Sequence, residues 1–587
     1  MKPDSGIRFR SVKKGYRYDQ DKVRSPEETI AWVRERFRLS GFDILAQTVR
    51  IDSGRLGIPV YISRCGTDAK AIIGTRKQMG KGATPAQSEA SALMELAERF
   101  SFFSYIKRGD HLRALWRDVE SDAISVRHLL DSIHDEVTPE DRAHAFIKDV
   151  RLRWVPAFSI KEKRDRWVPI DWFYIINEYN GPAAGNTIEE AVIQGLCEVV
   201  ERHVGTVISY EKLTTPRIDP NSVRSEAGRE LIGKYRAQNI VLFLRDFSLD
   251  TGIPSVGVLA YDPATFPERS EIIFTVGTTT DPETSLCRAL TEVAQLAGDF
   301  QNRTSYKPTF PKYTSLSDAA YLTGLNDAPV ISLSEMPCIR DDDISAEIDR
   351  ASGELKNRKG WDVLVVNVTH PLLAVPAIYC IIPGAHFLDR ATGTDFPQHM
   401  ARTLISALEP LEASAYIQRL IEFFGKRYDL LFFQGYAESQ MGNLTGAVKL
   451  YEQALSEGVP ATDERASIII NMASCWKDMG DYGKALKCLE SIEHDADNLK
   501  EFHHLKGVCH YYLEQYESAI KCFERVIEID PGSAIDYANI ASSLRKLGHQ
   551  REAIALYQAA LELDPTLDFA REHLKILKEK VGEAFNG

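Results

Sequence analysis

The sequence predicts two regions of different fold class: an α/β domain over the first 400 residues and an all-α repeat array over the last 160 of its 587 residues. In the first region, short runs rich in β-branched and aromatic residues alternate with amphipathic helical patterns, which is typical of α/β proteins. In the second region, small and aromatic residues recur every 34 residues from the second unit to the fourth, with four extra residues after the first unit, which indicates stacked helical units. A chain of this length exceeds a single core, so separate domains are expected.

The elements of the first region follow from local patterns. Helical periodicity predicts helices at 26–39, 85–106, 187–211, 282–301 and 343–358. β-rich runs predict strands at 240–247, 255–261, 272–278, 363–368 and 378–383. Two further runs, Trp154–Ile160 and Trp167–Ile176, flank the charged turn 161–165 and predict a β-hairpin. We therefore assign residues 1–400 to one domain, followed by a helical connector at 401–427 that Pro410 interrupts.

Residues 428–587 carry an internal repeat. Three repeat positions are occupied by Gly435, Ala473, Gly507 and Ala541; by Ala447, Ala485, Ala519 and Ala553; and by Tyr451, Leu489, Phe523 and Tyr557. The pattern resembles the tetratricopeptide repeat, a helix-turn-helix unit in which small residues let paired helices approach closely. We predict four repeats and a capping helix. A groove for a peptide or protein partner is the functional interpretation, and a scaffold for dimerisation or stability is the alternative.

Composition limits the class of protein. The net charge is −13, whereas nucleic-acid-binding domains usually carry a strong basic excess. The N-terminus lacks an apolar signal region, and no run approaches the ~20 apolar residues of a membrane span. The nine cysteines form no CxxC pair, which argues against a zinc site or a disulfide framework. We therefore predict a cytoplasmic protein that binds neither nucleic acid nor membrane.

Three of the predicted helices carry regularly spaced acids and amides on one face. The residues are Ser91, Glu95 and Glu98 before Arg99; Glu190, Gln194, Glu198 and Glu201 before Arg202; and Glu292 and Gln295 after Arg288. At roughly 100° per residue each set falls on one side of its helix. So many carboxylates in one place repel each other unless a cation lies among them, which indicates a metal-dependent site. Cys197 and Cys287 lie on the same helices, where a buried small residue is the interpretation and a nucleophile the alternative.

Glycine-containing loops precede two of these helices, at 80–84 and 185–187, and helix N-termini after glycine offer backbone N–H groups to anions. The Walker A spacing is nevertheless absent, because Lys81 is followed by Gly82 where Ser or Thr is required. A nucleotide site in this chain must therefore be of another type, in which carboxylates hold Mg²⁺ and Mg²⁺ holds the phosphates.

The combination of the 80–84 loop, Ser91-x-x-x-Glu95-x-x-Glu98-Arg99 and the long motif from Asn180 to Arg202 resembles the YcaO family over roughly residues 20–400. The resemblance implies an enzyme that uses ATP and Mg²⁺ to phosphorylate a peptide-backbone amide oxygen after a side chain or external sulfide has attacked the carbonyl carbon. Loss of phosphate then leaves an azoline, a thioamide or an amidine. Phosphorylation is needed because an amide oxygen is a poor leaving group.

The resemblance also implies roles for particular residues, while the catalytic groups themselves are not identified. The acids that organise Mg²⁺ and phosphate would be Glu95, Glu98, Glu190, Glu198 and Glu201. The residues that contact ATP would be Lys22, Thr29, Ser91, Gln194, Arg202 and Arg288, and Thr29 replaces the Ser that the family uses. Glu292 and Gln295 are either supporting groups beside Arg288 or ordinary surface residues.

One departure from the family narrows the expected reaction. Azoline-forming members commonly end in a Pro-x-Pro-x-Pro tail, whereas this chain ends Glu-Ala-Phe-Asn-Gly after the repeats. The chain looks more like thioamide-forming members, which work with a TfuA partner, or like the accessory factor for methylthiolation of a ribosomal protein. A non-catalytic adaptor that senses ATP and recruits partners through its repeats is the alternative from another class. The resemblance also favours a homodimer.

Overall fold

The computed structural model describes residues 2–18, 21–74, 77–301, 310–324, 328–387, 393–459 and 462–586. The chain divides into two compact units, Met1–Phe396 and Pro397–Gly587. The first unit is α/β and the second is helical, so the predicted fold class is confirmed.

The described residues of the first unit form three β-sheets. The strands are β1 (Leu45–Arg50), β2 (Val60–Cys65), β3 (Lys77–Lys81), β4 (Leu112–Leu115), β5 (Arg151–Ser159), β6 (Arg164–Pro169), β7 (Pro182–Ala184), β8 (Arg217–Ile218), β9 (Val241–Asp246), β10 (Ser255–Tyr261), β11 (Ile273–Thr278), β12 (Val330–Ile331), β13 (Leu364–Asn367) and β14 (Ala377–Ile381). The sheet orders are β1-β2-β3, β11-β10-β9-β8-β12 and β4-β5-β13-β14-β7, with β6 paired to β5. All pairs are antiparallel except β8 with β12, which is parallel.

Helices cover these sheets. They are α1 (Pro26–Ser40), α2 (Thr67–Ile73), α3 (Pro85–Ile106), α4 (Trp116–Val119), α5 (Val126–Ser132), α6 (Glu140–Ile147), α7 (Ile170–Asn177), α8 (Ile188–Glu211), α9 (Glu226–Ala237), α10 (Pro282–Ala297), α11 (Ala320–Thr323) and α12 (Ile344–Lys359). The three acid-bearing helices of the sequence analysis are α3, α8 and α10.

Each acid-bearing helix follows a strand after a three-residue connection: β3 leads into α3, β7 into α8 and β11 into α10. Side-chain caps fix the N-termini of all three helices, because the side chains of Thr84, Thr187 and Asp281 accept hydrogen bonds from backbone N–H groups of the first turn. The strand–helix packing is close at Gly80, where a Cβ atom would lie 2.2 Å from the Ala92 nitrogen. The local sequence therefore determines where each site helix begins and how closely α3 lies on its strand.

The predicted hairpin is correct in its first half and wrong in its second. Strands β5 and β6 pair across the turn as expected, but β6 ends at Pro169 and Ile170–Asn177 form helix α7. Proline has no N–H with which to extend the ladder, and its fixed φ suits the start of a helix. The run after Pro169 is apolar on almost all sides, and α7 buries Ile170, Trp172, Phe173, Ile175 and Ile176. A short run of this kind does not distinguish a buried strand from a buried helix.

The second unit consists of paired helices. They are α13 (Phe396–Ala407), α14 (Pro410–Phe424), α15 (Tyr428–Gln440), α16 (Leu444–Ser456), α17 (Thr462–Asp478), α18 (Tyr482–Glu490), α19 (Lys500–Tyr512), α20 (Tyr516–Ile529), α21 (Ala534–Leu547), α22 (Gln550–Leu563) and α23 (Asp568–Asn586). The repeated small residues have a steric purpose, since a Cβ on Gly507 would lie 2.7 Å from the buried ring of Phe523. Pro410 begins α14 rather than kinking a longer helix.

Candidate active site

Helices α3, α8 and α10 meet at a cleft of about 630 Å³ in the first unit. Ten of the eleven residues assigned to the site by sequence line it: Lys22, Thr29, Ser91, Glu95, Glu98, Glu190, Gln194, Glu198, Arg202 and Arg288. The eleventh, Glu201, is fully buried and pairs with the cleft residue Arg288. The structure thus brings together side chains that are up to 266 positions apart between Lys22 and Arg288.

The acids of α3 face the cleft without close hydrogen-bond donors from the described chain. Arg99 approaches them loosely, with Nε 3.4 Å from Glu98 Oε1 and 3.9 Å from Glu95 Oε1. Burial raises the pKa of Glu98 well above its usual value, Arg99 opposes this, and the neighbouring Glu198 and Glu95 carboxylates add to it. Burial likewise raises the pKa of Glu95. Arg99 is the one cation that forms an ion pair with them among the described residues, so a bound cation would stabilise their charged form.

On α8, Glu198 also faces the cleft, with Arg202 Nη2 3.5 Å from its Oε1. Glu201, one turn further on, is held firmly instead. Its Oε2 accepts hydrogen bonds from the Thr278 N–H (3.0 Å) and from Arg288 Nε (2.9 Å). Its Oε1 lies 3.7 Å from Arg202 Nη2, and within the described part of the chain this Oε1 and the Nε and Nη1 atoms of Arg202 are buried without a hydrogen-bond partner. Buried polar atoms without a hydrogen-bond partner are costly in a native protein, so these atoms suit a polar or charged ligand.

Glu190, at the start of α8, holds the N-terminal segment. Its carboxylate accepts hydrogen bonds from the Val23 N–H (3.0 Å) and from Asn186 Nδ2 (3.0 Å), and Lys22 Nζ lies 3.8 Å away. Asn186 Oδ1 in turn accepts a hydrogen bond from the Thr29 hydroxyl (3.2 Å). Asn186 therefore links Thr29 to α8, whereas Lys22 pairs with Glu190 directly. It was missed as a site residue, although it stands in the long sequence motif immediately before the Thr187 cap.

Helix α10 contributes alternating charges. With its amide oxygen turned toward Arg288, Gln194 accepts hydrogen bonds from Nη1 (2.5 Å) and Nη2 (3.2 Å). One turn further on, Glu292 forms an ion pair with Lys81 at the end of β3. Burial disfavours the charged form of Glu292, but Lys81 and Arg202 outweigh it and lower its pKa. Glu292 and Gln295 both line the cleft. In the sequence, Lys81 was considered within the 80–84 loop, as part of an absent Walker pattern and of the family resemblance, but it was assigned no role of its own.

The comparisons with known proteins agree with this geometry. The profile of the YcaO family, described as a cyclodehydratase that binds ATP and Mg²⁺, matches residues 79–386. The chain belongs to the YcaO family. Tetratricopeptide-repeat profiles match residues 501–533 and 537–567, which confirms the predicted repeat type.

Two relatives and one solved structure resemble the YcaO unit. An uncharacterised protein encoded in the region 3′ of tfuA in Rhizobium leguminosarum bv. trifolii is 25% identical over 396 residues, 62% of this chain and 88% of that protein. The ribosomal protein S12 methylthiotransferase accessory factor YcaO of Escherichia coli is 28% identical over 241 residues, 37% of this chain and 40% of that protein. A solved heterocyclase in complex with substrate and cofactor shares the fold, with a TM-score of 0.53, 23% identity and coverage of 65% of this chain and 54% of the heterocyclase.

The side chains of the YcaO unit fit the cofactors of the family, ATP and Mg²⁺. Carboxylate oxygens are the ligands that Mg²⁺ prefers, and Glu95, Glu98 and Glu198 offer them on two facing helices. Within the described ranges, no three His, Cys, Asp or Glu residues form a metal cluster by themselves. Arg202 and Arg288 provide the opposite charge for phosphate.

The two cysteines on the site helices are buried, Cys197 in the cleft wall and Cys287 on α10. Burial raises the pKa of the Cys197 thiol to about 12, and a protonated thiol is a poor nucleophile. His203, the histidine nearest in sequence, accepts a hydrogen bond from the His386 N–H and packs against Trp361. This environment agrees with the interpretation of Cys197 as a buried small residue.

Where the chain is described, every helix is too short or too polar to cross a lipid bilayer.

Proposed function

We propose that this protein uses ATP and Mg²⁺ to phosphorylate the oxygen of a peptide-backbone amide, in a reaction of thioamide-forming or related type. The observation that carries the proposal is the cleft in which under-compensated carboxylates on α3 and α8 face Arg202 and Arg288. Such a site pairs naturally with a metal-bound polyphosphate, since the acids need a cation and the arginines need an anion.

The proposed chemistry turns a poor leaving group into a good one. A side-chain nucleophile or external sulfide forms a bond to the carbonyl carbon, and the π electron pair moves to the oxygen. That oxygen attacks the terminal phosphorus of ATP, and ADP leaves. Phosphate then departs with the C–O electron pair while a proton is lost from nitrogen or sulfur, which gives an azoline or a thioamide. The bound Mg²⁺ would neutralise charge on the phosphates.

The five proposed metal-organising acids fall into two groups, according to whether they already accept hydrogen bonds from other residues of the chain. Glu95, Glu98 and Glu198 are available to a cation as they stand. Glu190 and Glu201 already accept hydrogen bonds from the chain, so they would reach Mg²⁺ only by exchanging those partners and otherwise act by positioning Lys22 and Arg288. Ser91, Gln194, Lys22 and Thr29 remain proposed nucleotide contacts, and Gln194 at present holds Arg288.

Thioamide formation is the finer part of the proposal. It is supported by the similarity to the relative encoded beside tfuA. A TfuA-like protein is accordingly the proposed partner, with the tetratricopeptide repeats binding either that partner or the substrate peptide. A homodimer of a cytoplasmic protein remains part of the same proposal.

The first test uses calorimetry with Mg²⁺ and AMPPCP on the full chain and on Glu198→Gln. We expect Mg²⁺-dependent binding that falls at least about tenfold in the variant, because a carboxylate ligand of the ion is lost. Glu211→Gln is the matched control, since Glu211 is exposed at the far end of the same helix. A wild-type protein that binds no nucleotide in the presence of Mg²⁺ would contradict the proposal.

A second candidate function is an accessory role without amide chemistry. It is favoured by the similarity to the methylthiotransferase accessory factor. Incubation with ATP, Mg²⁺, sulfide and a peptide library, followed by mass spectrometry, separates the two candidates. An enzyme exchanges oxygen for sulfur or removes one water from a peptide, whereas an accessory factor or ATP-sensing adaptor binds nucleotide and changes no peptide mass.

A further inference from the structure

Lys81 is a cation of the cleft to which the sequence pattern assigned no function. It is the last residue of β3, and its side chain is 18% exposed and lines the cleft. Its ammonium forms an ion pair with Glu292 on α10. Lys81 also interacts electrostatically with Arg288 on α10, with Glu201 on α8 and with Glu95 on α3. Lys81 therefore lies where all three site helices meet.

Several N–H donors around Lys81 have no acceptor among the described residues. A lysine ammonium has three N–H donors, and among the described residues Lys81 has one acceptor, Glu292. Arg202 also acts on Glu292; its Nη2 pairs with Glu198 and Glu201, while its buried Nε and Nη1 have no hydrogen-bond partner in the described part of the chain. One carboxylate, Glu292, thus forms an ion pair with Lys81 and is also stabilised electrostatically by Arg202 and Arg288. An excess of buried N–H donors on cations calls for an anion with several acceptor oxygens.

We propose that Lys81 binds the terminal phosphate of the nucleotide. The inference rests on the proposed ATP-dependent function and adds to it a residue for the phosphoryl group that is transferred. The terminal phosphate is the part of ATP with the most charge and the most free oxygens, so it matches the point where the cations converge. Glu292 is the positioning residue, because its carboxylate holds the lysine side chain in the cleft when no phosphate is present.

The route by which Lys81 reaches the phosphate differs from that of a Walker lysine. A Walker lysine projects from a loop at a helix N-terminus, whereas Lys81 projects from a strand that is packed tightly on α3. A Cβ atom at Gly80 would clash with the α3 backbone, and one at Gly82 would lie 2.5 Å from the Gln87 Cβ. The two glycines on either side of Lys81 are therefore required by close packing, which fixes the lysine relative to the acids of α3.

The experiment compares AMPPCP, which has a third phosphate, with ADP, which lacks it, both with Mg²⁺ and the full chain. In Lys81→Met we expect the affinity for AMPPCP to fall about tenfold, since a charge-assisted hydrogen bond is lost. Affinity for ADP should change by less than about twofold, because the third phosphate is absent. Lys70→Met is the matched control, since Lys70 is an exposed lysine outside the cleft.

Further variants separate the possible outcomes. Lys81→Arg should recover part of the preference for AMPPCP, and Glu292→Gln should weaken it less than Lys81→Met does. If Lys81→Met lost affinity equally for AMPPCP and ADP, Lys81 would contact another part of the nucleotide. If the AMPPCP affinity were unchanged but peptide-dependent phosphate release were lost, Lys81 would contact the peptide. Either result overturns the inference. Failure of the wild type to bind AMPPCP would instead overturn the proposed function, so the two failures are distinguishable.

Discussion

Helices α3 and α8 carry the same Glu-x-x-Glu-Arg motif in different environments. On α3 both acids lie in the cleft, the arginine is no closer than 3.4 Å to either acid, and burial raises the pKa of both carboxyls. On α8 the second acid, Glu201, is fully buried and accepts hydrogen bonds from Arg288 and from the Thr278 N–H. The motif spacing determines which face the acids occupy. Residues from other elements determine whether an acid is free to bind a cation or is occupied in holding an arginine.

The largest expected consequence of this difference is for folding stability. Glu201→Gln removes the charge that compensates Arg288 in a buried position, so we expect the free energy of unfolding of the first unit to fall by about 3 kcal/mol. Glu198→Gln, on the same helix but open to the cleft, should change it by less than about 1 kcal/mol. Urea unfolding of both variants without nucleotide measures the difference.

Equal destabilisation by the two substitutions would contradict the division of α8 into an open and an occupied acid. Binding of AMPPCP with Mg²⁺ adds a second comparison. Glu201→Gln should lose affinity indirectly through the displaced Arg288, whereas Glu198→Gln loses it directly.

A smaller effect of opposite sign is expected on α3. The Glu98 carboxylate is buried beside Glu95 and Glu198, so Glu98→Gln should raise the melting temperature of the protein without Mg²⁺ or nucleotide, because it removes repulsion and a desolvated charge. The same variant should gain little stability from Mg²⁺ and AMPPCP, since ligand stabilisation scales with affinity. Differential scanning calorimetry with and without the ligands measures both effects.

The pH dependence of folding stability tests whether the buried Glu98 carboxylate is destabilising. The pKa of Glu98 is raised in the folded state above the value of 4.5 expected when unfolded. Below pH 4.5 the carboxyl is protonated in both the folded and the unfolded state, so its ionisation does not change the free energy of unfolding. As the pH rises from there to the folded-state pKa, the unfolded state releases its proton first, so stability falls. Glu98→Gln should flatten this fall, and a protein whose stability rises through this window because of Glu98 would refute the assignment.

Local patterns were sufficient for the parts of the fold and site that depend on one element. Helix α3 has the bounds that periodicity predicted, because Thr84 and Gln87 form a capping box and Pro85 occupies the first turn. The cleft-facing positions of Glu95, Glu98 and Glu198 follow from the 100° rotation per residue. The 34-residue spacing likewise identified the repeats, since each repeat position has the same packing requirement.

What the sequence did not predict depends on contacts between distant elements. Helix α7 was predicted as a strand, since an apolar run after proline fits either state. The role of Lys81 depends on Glu292, which is 211 residues away, and the role of Asn186 depends on Thr29, which is 157 residues away. Local periodicity contains no information on such pairs. For the same reason it could not distinguish the open acids from Glu201.

The smallest expected effect concerns Cys197, which lies on α8 with these acids but is uncharged. Cys197→Ala should leave AMPPCP affinity within about twofold and lower the free energy of unfolding by about 1 kcal/mol, the cost of a small cavity. Iodoacetamide at neutral pH should label the exposed Cys338 and spare Cys197, whose thiol has a pKa raised to about 12. Mass mapping of the labelled peptides measures this. Rapid labelling of Cys197 that nucleotide blocks would show a reactive thiolate in the cleft and restore the nucleophile interpretation. Its protection would mean that the chemistry of the cleft depends on the charged groups of α3, α8 and α10, with sulfur supplied by the substrate or from solution.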